Sequence, residues 1–260
     1  MCAPFDNQKM KNLSKEIFFR ALPKISLPKD RASVLMYHSI SDRQDLFSAV
    51  SPEAFQKQMA YLAGKRYPVI PLAELVRRLR AHEPLGGSVA LTFDDGYRDN
   101  YTTVFPLLKQ YNFPATIFVT TNLIGMPGYC SAGELREMYD SGLVAIEPHT
   151  LSHPKLAKLS RADAEHEIRD SREKLQDIIG TAPNLFAYPY GSFSEETTAM
   201  VREMNFAGAV TVEEGTIGPD TDVFRLPRNS VDSSTTFSQF RGKVSRVIDW
   251  YVAGKRFIRI

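Results

Sequence analysis

The chain has 260 residues, long enough for one large domain as readily as for two small ones, and a formal charge of +2 that leaves no broad basic face for nucleic acid. It contains no run of 18 or more uncharged apolar residues, which excludes a membrane-spanning helix. Cys2 and Cys130, the only cysteines, are too far apart in sequence for a structural zinc motif or a redox pair, and they suit either a reducing compartment or no redox requirement at all.

Residues 1–30 read as an N-terminal extension. They carry lysines but no continuous apolar core before a small-residue cleavage site, so a secretion signal is not expected; the location that follows is cytoplasmic, with association at the inner face of the membrane as a secondary option. Leu13, Ile17, Phe18 and Leu22 recur at helical spacing among Lys11, Lys15 and Arg20, and predict a short helix docked on the domain rather than a membrane anchor.

Beyond Pro28, β-rich runs alternate with helical segments. Strands are predicted at 33–37, 67–70, 88–93, 115–120, 143–147, 184–188, 207–211 and 223–226, several as the continuous apolar runs of buried parallel strands. Helices are predicted near 52–63, 72–80, 100–110, 131–140, 161–179 and 195–204, with starts marked by Ser51 before Pro52 and by the capping spacings Ser131 to Glu134 and Ser160 to Asp163. No repeat or linker divides residues 31–260, so the pattern predicts a single α/β domain: an irregular (β/α) barrel of about seven or eight parallel strands. The last stretch, 241–260, mixes Trp250, Tyr251, Phe257 and Ile258 with six Lys or Arg and reads as a basic aromatic tail. Packing against the barrel base is favoured for it over contact with anionic lipid.

In a parallel barrel the chemistry sits at the C-terminal ends of strands, and the run 89–93 leads directly into Asp94-Asp95-Gly96. Neighbouring residues on a strand face opposite ways, so both carboxylates reach one site only if the chain turns there, which Gly96 permits. Taken alone, Asp-Asp-Gly is more often an ordinary turn. A second strand end carries Glu147-Pro148-His149-Thr150-Leu151-Ser152-His153-Pro154. One helical turn over that segment would put both imidazoles on one face, at a spacing that suits one ion; two unrelated surface histidines are the equally weighted alternative. A third strand end, Tyr188-Pro189-Tyr190-Gly191, turns toward a helix capped near Ser194.

Together these three elements resemble the polysaccharide deacetylase family, carbohydrate esterase family four: Thr92-Phe93-Asp94-Asp95-Gly96, then His149-Thr150-x-x-His153-Pro154, then Tyr188-Pro189-Tyr190-Gly191, over about residues 34–228. The resemblance implies Asp95, His149 and His153 as ligands of a divalent ion, usually zinc with cobalt or nickel as options. It also implies Asp94 as general base, and Pro189 with the Tyr190 backbone N–H facing the substrate. The implied activity is removal of N-acetyl groups from a glycan of the N-acetylglucosamine type, as polymer, oligomer or lipid-linked intermediate. A related amidase or esterase on a non-sugar substrate, or a catalytically impaired carbohydrate-binding relative, are the alternatives.

Two departures stand out. Ala187 occupies a position where many members have arginine to orient the base, and no late Leu-x-x-His motif supplies a general acid. Because a barrel is circular, a first strand ending Met36-Tyr37-His38 can take the place of the usual last one, which makes His38 the candidate acid. That order resembles the permuted subgroup acting on bacterial exopolysaccharides. Arg228, after the last predicted strand, is read as a substrate contact or, more conservatively, a surface arginine; His82 and His166 are expected to be solvated.

Overall fold

The structure is a computed structural model that describes residues 16, 28–43, 46–245 and 247–257. The apolar stripe of Leu13, Ile17, Phe18 and Leu22 therefore lies outside the described residues, as does Ile258.

Among the described residues seven strands form: β1 (Ala32–Tyr37), β2 (Ser88–Asp95), β3 (Ala115–Val119), β4 (Val144–Pro148), β5 (Leu185–Ala187), β6 (Gly208–Val210) and β7 (Asn229–Ser230). Five make a parallel sheet in the order β4-β3-β2-β1-β7, and β5 pairs with β6, also in parallel. The first strand thus lies between β2 and the last one. At the other side, β6 continues toward β7 through a parallel bridge between Val210 and Leu226 and a bond from Arg228 N to Glu213 O (2.8 Å). Between β4 and β5 no ladder is formed; there the Glu147 carboxylate accepts the N–H groups of Asn184 and Leu185, both at 2.8 Å. Burial holds the Glu147 carboxyl up at about 8.

Eight α-helices are interleaved with these strands among the residues described in full segments: α1 (Pro52–Gly64), α2 (Leu72–Arg80), α3 (Phe105–Tyr111), α4 (Ala132–Asp140), α5 (Arg161–Ile179), α6 (Glu195–Glu203), α7 (Phe237–Lys243) and α8 (Val247–Phe257). The serine caps act as the spacing predicts. Ser51, Ser131 and Ser160 each accept a backbone N–H of the first turn, and Ser131 with Glu134 completes a capping box. The main hydrophobic cluster packs Leu35, Tyr37, Leu91, Phe93 and Ile117 of the sheet against Phe55, Met59, Leu108 and Leu175 of the helices. A second cluster joins Val34, Ala90, Phe118 and Val210 to α2.

Three predicted elements change. Residues 67–70 contribute one bridge, Val69 to Val89, because Pro68 and Pro71 have no N–H to extend a ladder. Residues 223–226 begin as a turn in which Phe224 N donates to the Asp222 carboxylate, so that the contact with β6 shrinks to one bridge, Val210 with Leu226, and a bond from Ala209 N to Val223 O. The single helix expected over 100–110 starts as a π-helical turn, Asn100–Val104, and becomes α-helical where Pro106 removes a donor. The C-terminal stretch folds as α7 and α8: Val247, Ile248 and Lys243 are buried, the Lys243 ammonium pairs with Glu214 at 3.0 Å, and Trp250 is exposed. Among the described residues no helix is long and apolar enough to cross a membrane.

Candidate metal centre and catalytic site

Strand alternation places the first carboxylate. Val89, Leu91 and Phe93 face the helices, so Ala90, Thr92 and Asp94 share the opposite, inner face of β2. In a continuing strand Asp95 would turn outward, but its φ is +73° and that of Gly96 is +78°, so the chain reverses and both carboxylates reach the mouth. The turn starts at Asp95 itself. A Cβ at position 96 would lie 3.2 Å from Val119 Cγ1, which suits glycine there.

The two histidines do not sit on a helical turn. Thr150 and His153 have φ of +66° and +64°, and the His153 N–H donates to Thr150 Oγ1 at 3.0 Å, folding 149–153 into a tight loop. Glu167 on α5 fastens this loop: its carboxylate accepts from Leu151 N and Ser152 N, both at 2.9 Å, and from Ser152 Oγ at 2.6 Å. Glu167 carries no signal in the sequence beyond being one more acidic residue on a polar helix.

Non-glycine residues with positive φ divide into two groups among the described residues. Arg66, His82, Asn112 and Asn205 lie at or just past helix C-termini, where the left-handed conformation is the usual way to stop a helix. Asp95, Thr150, His153 and Tyr190 lie at the mouth. Here the strain accompanies side chains that the site needs.

Ligand atoms of Asp95, His149 and His153 all fall within 4.8 Å of one another. Asp95 Oδ1 is 3.5 Å from His153 Nε2 and 3.9 Å from His149 Nε2. Tetrahedral ligands on bonds of 2.0 to 2.1 Å stand about 3.3 Å apart, so the two Asp95 separations are already close to that spacing, and the widest pair, at up to 4.8 Å, closes by about 1.5 Å around one ion. His149 is buried, and its Nδ1 meets the Ala187 carbonyl at 2.8 Å; as donor there, it leaves the Nε2 lone pair facing the other two groups. Burial, against the pull of Asp94, takes His149 down to about 4, and burial also lowers His153, so both rings are neutral and available as ligands near neutral pH. Burial pushes Asp95 up to about 6; His38 opposes this and Asp94 adds to it. The donor set fits a divalent ion.

Arg228 is the main correction. It is neither on the surface nor turned to a substrate: the side chain is fully buried, and its guanidinium grips Asp94 through Nη1–Oδ1 at 2.6 Å and Nη2–Oδ2 at 2.7 Å. Its remaining donors go to Thr211 O (2.8 Å) and Thr92 Oγ1 (3.1 Å). Burial works to raise Asp94, but the charge and hydrogen bonds of the Arg228 guanidinium, with the imidazole of His149 alongside, outweigh it and hold the carboxyl at about 2. Asp94 Oδ2 stands 4.0 Å from His149 Nε2, beside the ligand cluster.

His38, half-buried, follows directly on the last β1–β2 pair, Tyr37 with Phe93, near enough to Asp94 and Asp95 to favour the ionised form of both. Tyr190 lies in the turn Pro189–Gly191 with its ring exposed and 4.5 Å from that of His153, while Pro189 is buried beneath. His82 and His166 are exposed and remote from the site; His166 pairs with Asp170 on α5.

The geometry can be set beside known proteins. The sequence profile for polysaccharide deacetylases matches residues 81–209. YxkH of Bacillus subtilis (strain 168), named for that family, is 31% identical over 208 residues, covering 80% of this chain and 74% of its own length. The chain belongs to the polysaccharide deacetylase family. Another relative, the poly-β-1,6-N-acetyl-D-glucosamine N-deacetylase of Staphylococcus epidermidis, is 27% identical over 232 residues, 79% of this chain and 80% of that one. Among solved structures, the Streptococcus pyogenes deacetylase PplD in complex with acetate superposes with a TM-score of 0.77 at 25% identity, covering 84% of this chain and 99% of that one. As a polysaccharide deacetylase the chain is a hydrolase, and its two departures from the common pattern now have a structural context. Ala187 gives its carbonyl to His149 instead of an arginine side chain to the base, and an arginine from just before β7 grips Asp94.

Proposed function

We propose that this protein hydrolyses N-acetyl groups of an N-acetylglucosamine-type glycan, with Asp95, His149 and His153 holding a zinc ion and Asp94 as general base. The observation that carries this reading is the pairing of a three-donor cluster with a separate buried carboxylate beside it, held in a fork of two short hydrogen bonds. When bound, the ion supplies Lewis acidity, acidifying a water and polarising the acetamide carbonyl. Asp94, ionised and fixed by Arg228, takes the proton of the attacking water. The Tyr190 backbone N–H donates to the oxygen on which negative charge develops. His38 gives a proton to the sugar nitrogen as its bond to the acetyl carbon breaks, so that acetate and a free amine leave. Pro189 and Tyr190 form one wall for the sugar. The name of the Staphylococcus relative favours a β-1,6-linked chain as the first glycan to assay.

The test is acetate release from N-acetylglucosamine oligomers, followed with metal analysis of the same sample. Stripping the protein with a chelator is expected to bring release to background, and one equivalent of zinc to restore it. Full activity in protein shown to be free of metal would refute the reading.

A further inference from the structure

The β1–β2 ladder ends at Tyr37 and Phe93, so from His38 onward β1 has no strand partner on that side. Two adjacent side chains take over there. Asn100 Nδ2 donates to the His38 carbonyl at 2.9 Å; Asp99 Oδ1 accepts the Ile40 N–H at 2.9 Å and Asp99 Oδ2 accepts the Ser39 hydroxyl at 2.5 Å. Asn100 Nδ2 also bonds Asp99 Oδ1 at 3.1 Å, which locks the two clamping groups to each other. Asn100 is fully buried and Ser39 nearly so, Asp99 is half-buried, and the bonds that the Asp99 carboxylate accepts are charge-assisted.

The clamp sits on the same short run as the base and the first ligand, Asp94-Asp95-Gly96-Tyr97-Arg98-Asp99-Asn100, at the start of the π-helical turn that opens the way into α3. π-Helical turns are rare, and often mark positions where function fixes side-chain direction. Here the turn leaves residues 99 and 100 facing back to β1. All three bonds to the segment that follows β1 go to the main chain or to Ser39, and none of them is made to the imidazole.

We infer that Asp99 and Asn100 are positioning residues: they hold the backbone of His38 to Ile40 in register with the Asp94–Asp95 turn, so that the imidazole meets the departing nitrogen. This inference rests on His38 being the general acid, and the experiment separates the two. The variants are His38→Ala, Asp99→Ala, Ser39→Ala and the pair His38→Ala with Asp99→Ala. Each is measured with zinc bound for kcat, KM, zinc stoichiometry and the pH dependence of kcat.

Asp99→Ala is expected to lower kcat about 10- to 100-fold, the usual effect of losing a group that orients a reacting one, with KM and zinc content unchanged. Its alkaline limb moves toward that of His38→Ala, and in the His38→Ala background the same change has no further effect, since the group being positioned is gone. Asp99→Asn, which keeps an acceptor for Ile40 N, recovers most of the loss. Ser39→Ala removes one arm and gives the same pattern at about 2- to 5-fold, which carries the test if Asp99→Ala does not fold. If His38→Ala keeps full kcat, the acid assignment fails. If His38→Ala is impaired while the clamp variants keep full kcat, lose zinc, or cost as much in its background as alone, the positioning inference fails.

Discussion

Two carboxylates in this protein are gripped by arginine at nearly the same distances, and both are held at about 2. Asp94 meets Arg228 at 2.6 and 2.7 Å with both side chains out of contact with water. Glu74 on α2 meets Arg77 and Arg78 at 2.7 Å, with Arg77 also reaching Glu83 at 2.8 Å, but Arg77 is 53% exposed and Glu74 31%. The causes differ. Glu74 is lowered chiefly by hydrogen bonds from its two arginines with almost no burial to overcome, whereas Asp94 is lowered against a burial cost that is its largest single influence. A short ion pair therefore says little by itself; what matters is what remains when one partner is removed.

The largest effect is expected where the remainder is a buried charge. Arg228→Met leaves Asp94 without its fork, and should cost about 3 to 5 kcal/mol in denaturant unfolding together with a 10- to 100-fold loss of acetate release. A loss of stability no greater than that of an average surface substitution would erase the contrast. Arg228→Lys sharpens it: one ammonium keeps the charge but cannot bond both oxygens while also reaching Thr92 and Thr211, so a cost of about 1 to 3 kcal/mol and intermediate turnover are expected.

Glu74→Gln marks the other end, with stability within about 0.5 kcal/mol of the parent by the same unfolding measurement. The sign of its pH dependence is fixed. Because the folded carboxyl is depressed, its contribution is present above the ordinary carboxylate range and is lost as pH falls toward about 2. Parent and Glu74→Gln curves should therefore draw together below about pH 4, and should already coincide at higher pH in about 0.5 M salt, which screens exposed pairs. A salt-resistant difference would mean that the α2 pair is sheltered after all.

What could be read in advance followed local chemistry. α5 begins and ends where the sequence places it because Ser160 caps one end and Gly180, with φ of +79°, closes the other. The apolar runs of β1 to β4 were equally legible, and the motif residues at their ends converge as strand alternation and glycine turns allow. Long-range pairing was not. Arg228 lies 134 residues from Asp94, and no periodicity links them; the only pointer was the alanine at 187, which left the base without an orienting group. The path from His149 to His153 departs from a helical turn because the left-handed Thr150 goes with the bonds from Leu151 N and Ser152 N to Glu167 rather than with its own propensity. β7 has two polar residues, too few for a strand pattern, and the aromatic and basic C-terminal stretch hid two packed helices because Lys243 is buried by its pairing with Glu214.

The gap between β4 and β5 has one more implication. Along the rest of the main sheet, neighbouring strands are joined by peptide groups, whose bonding capacity does not change with solution conditions. Across this one boundary the ties are a carboxylate on two amides and an imidazole on one carbonyl, groups whose bonding follows protonation and tautomer. The same histidine that faces the ion site thus also ties the end of β4 to β5, so holding an ion and keeping these two strands together draw on a single ring.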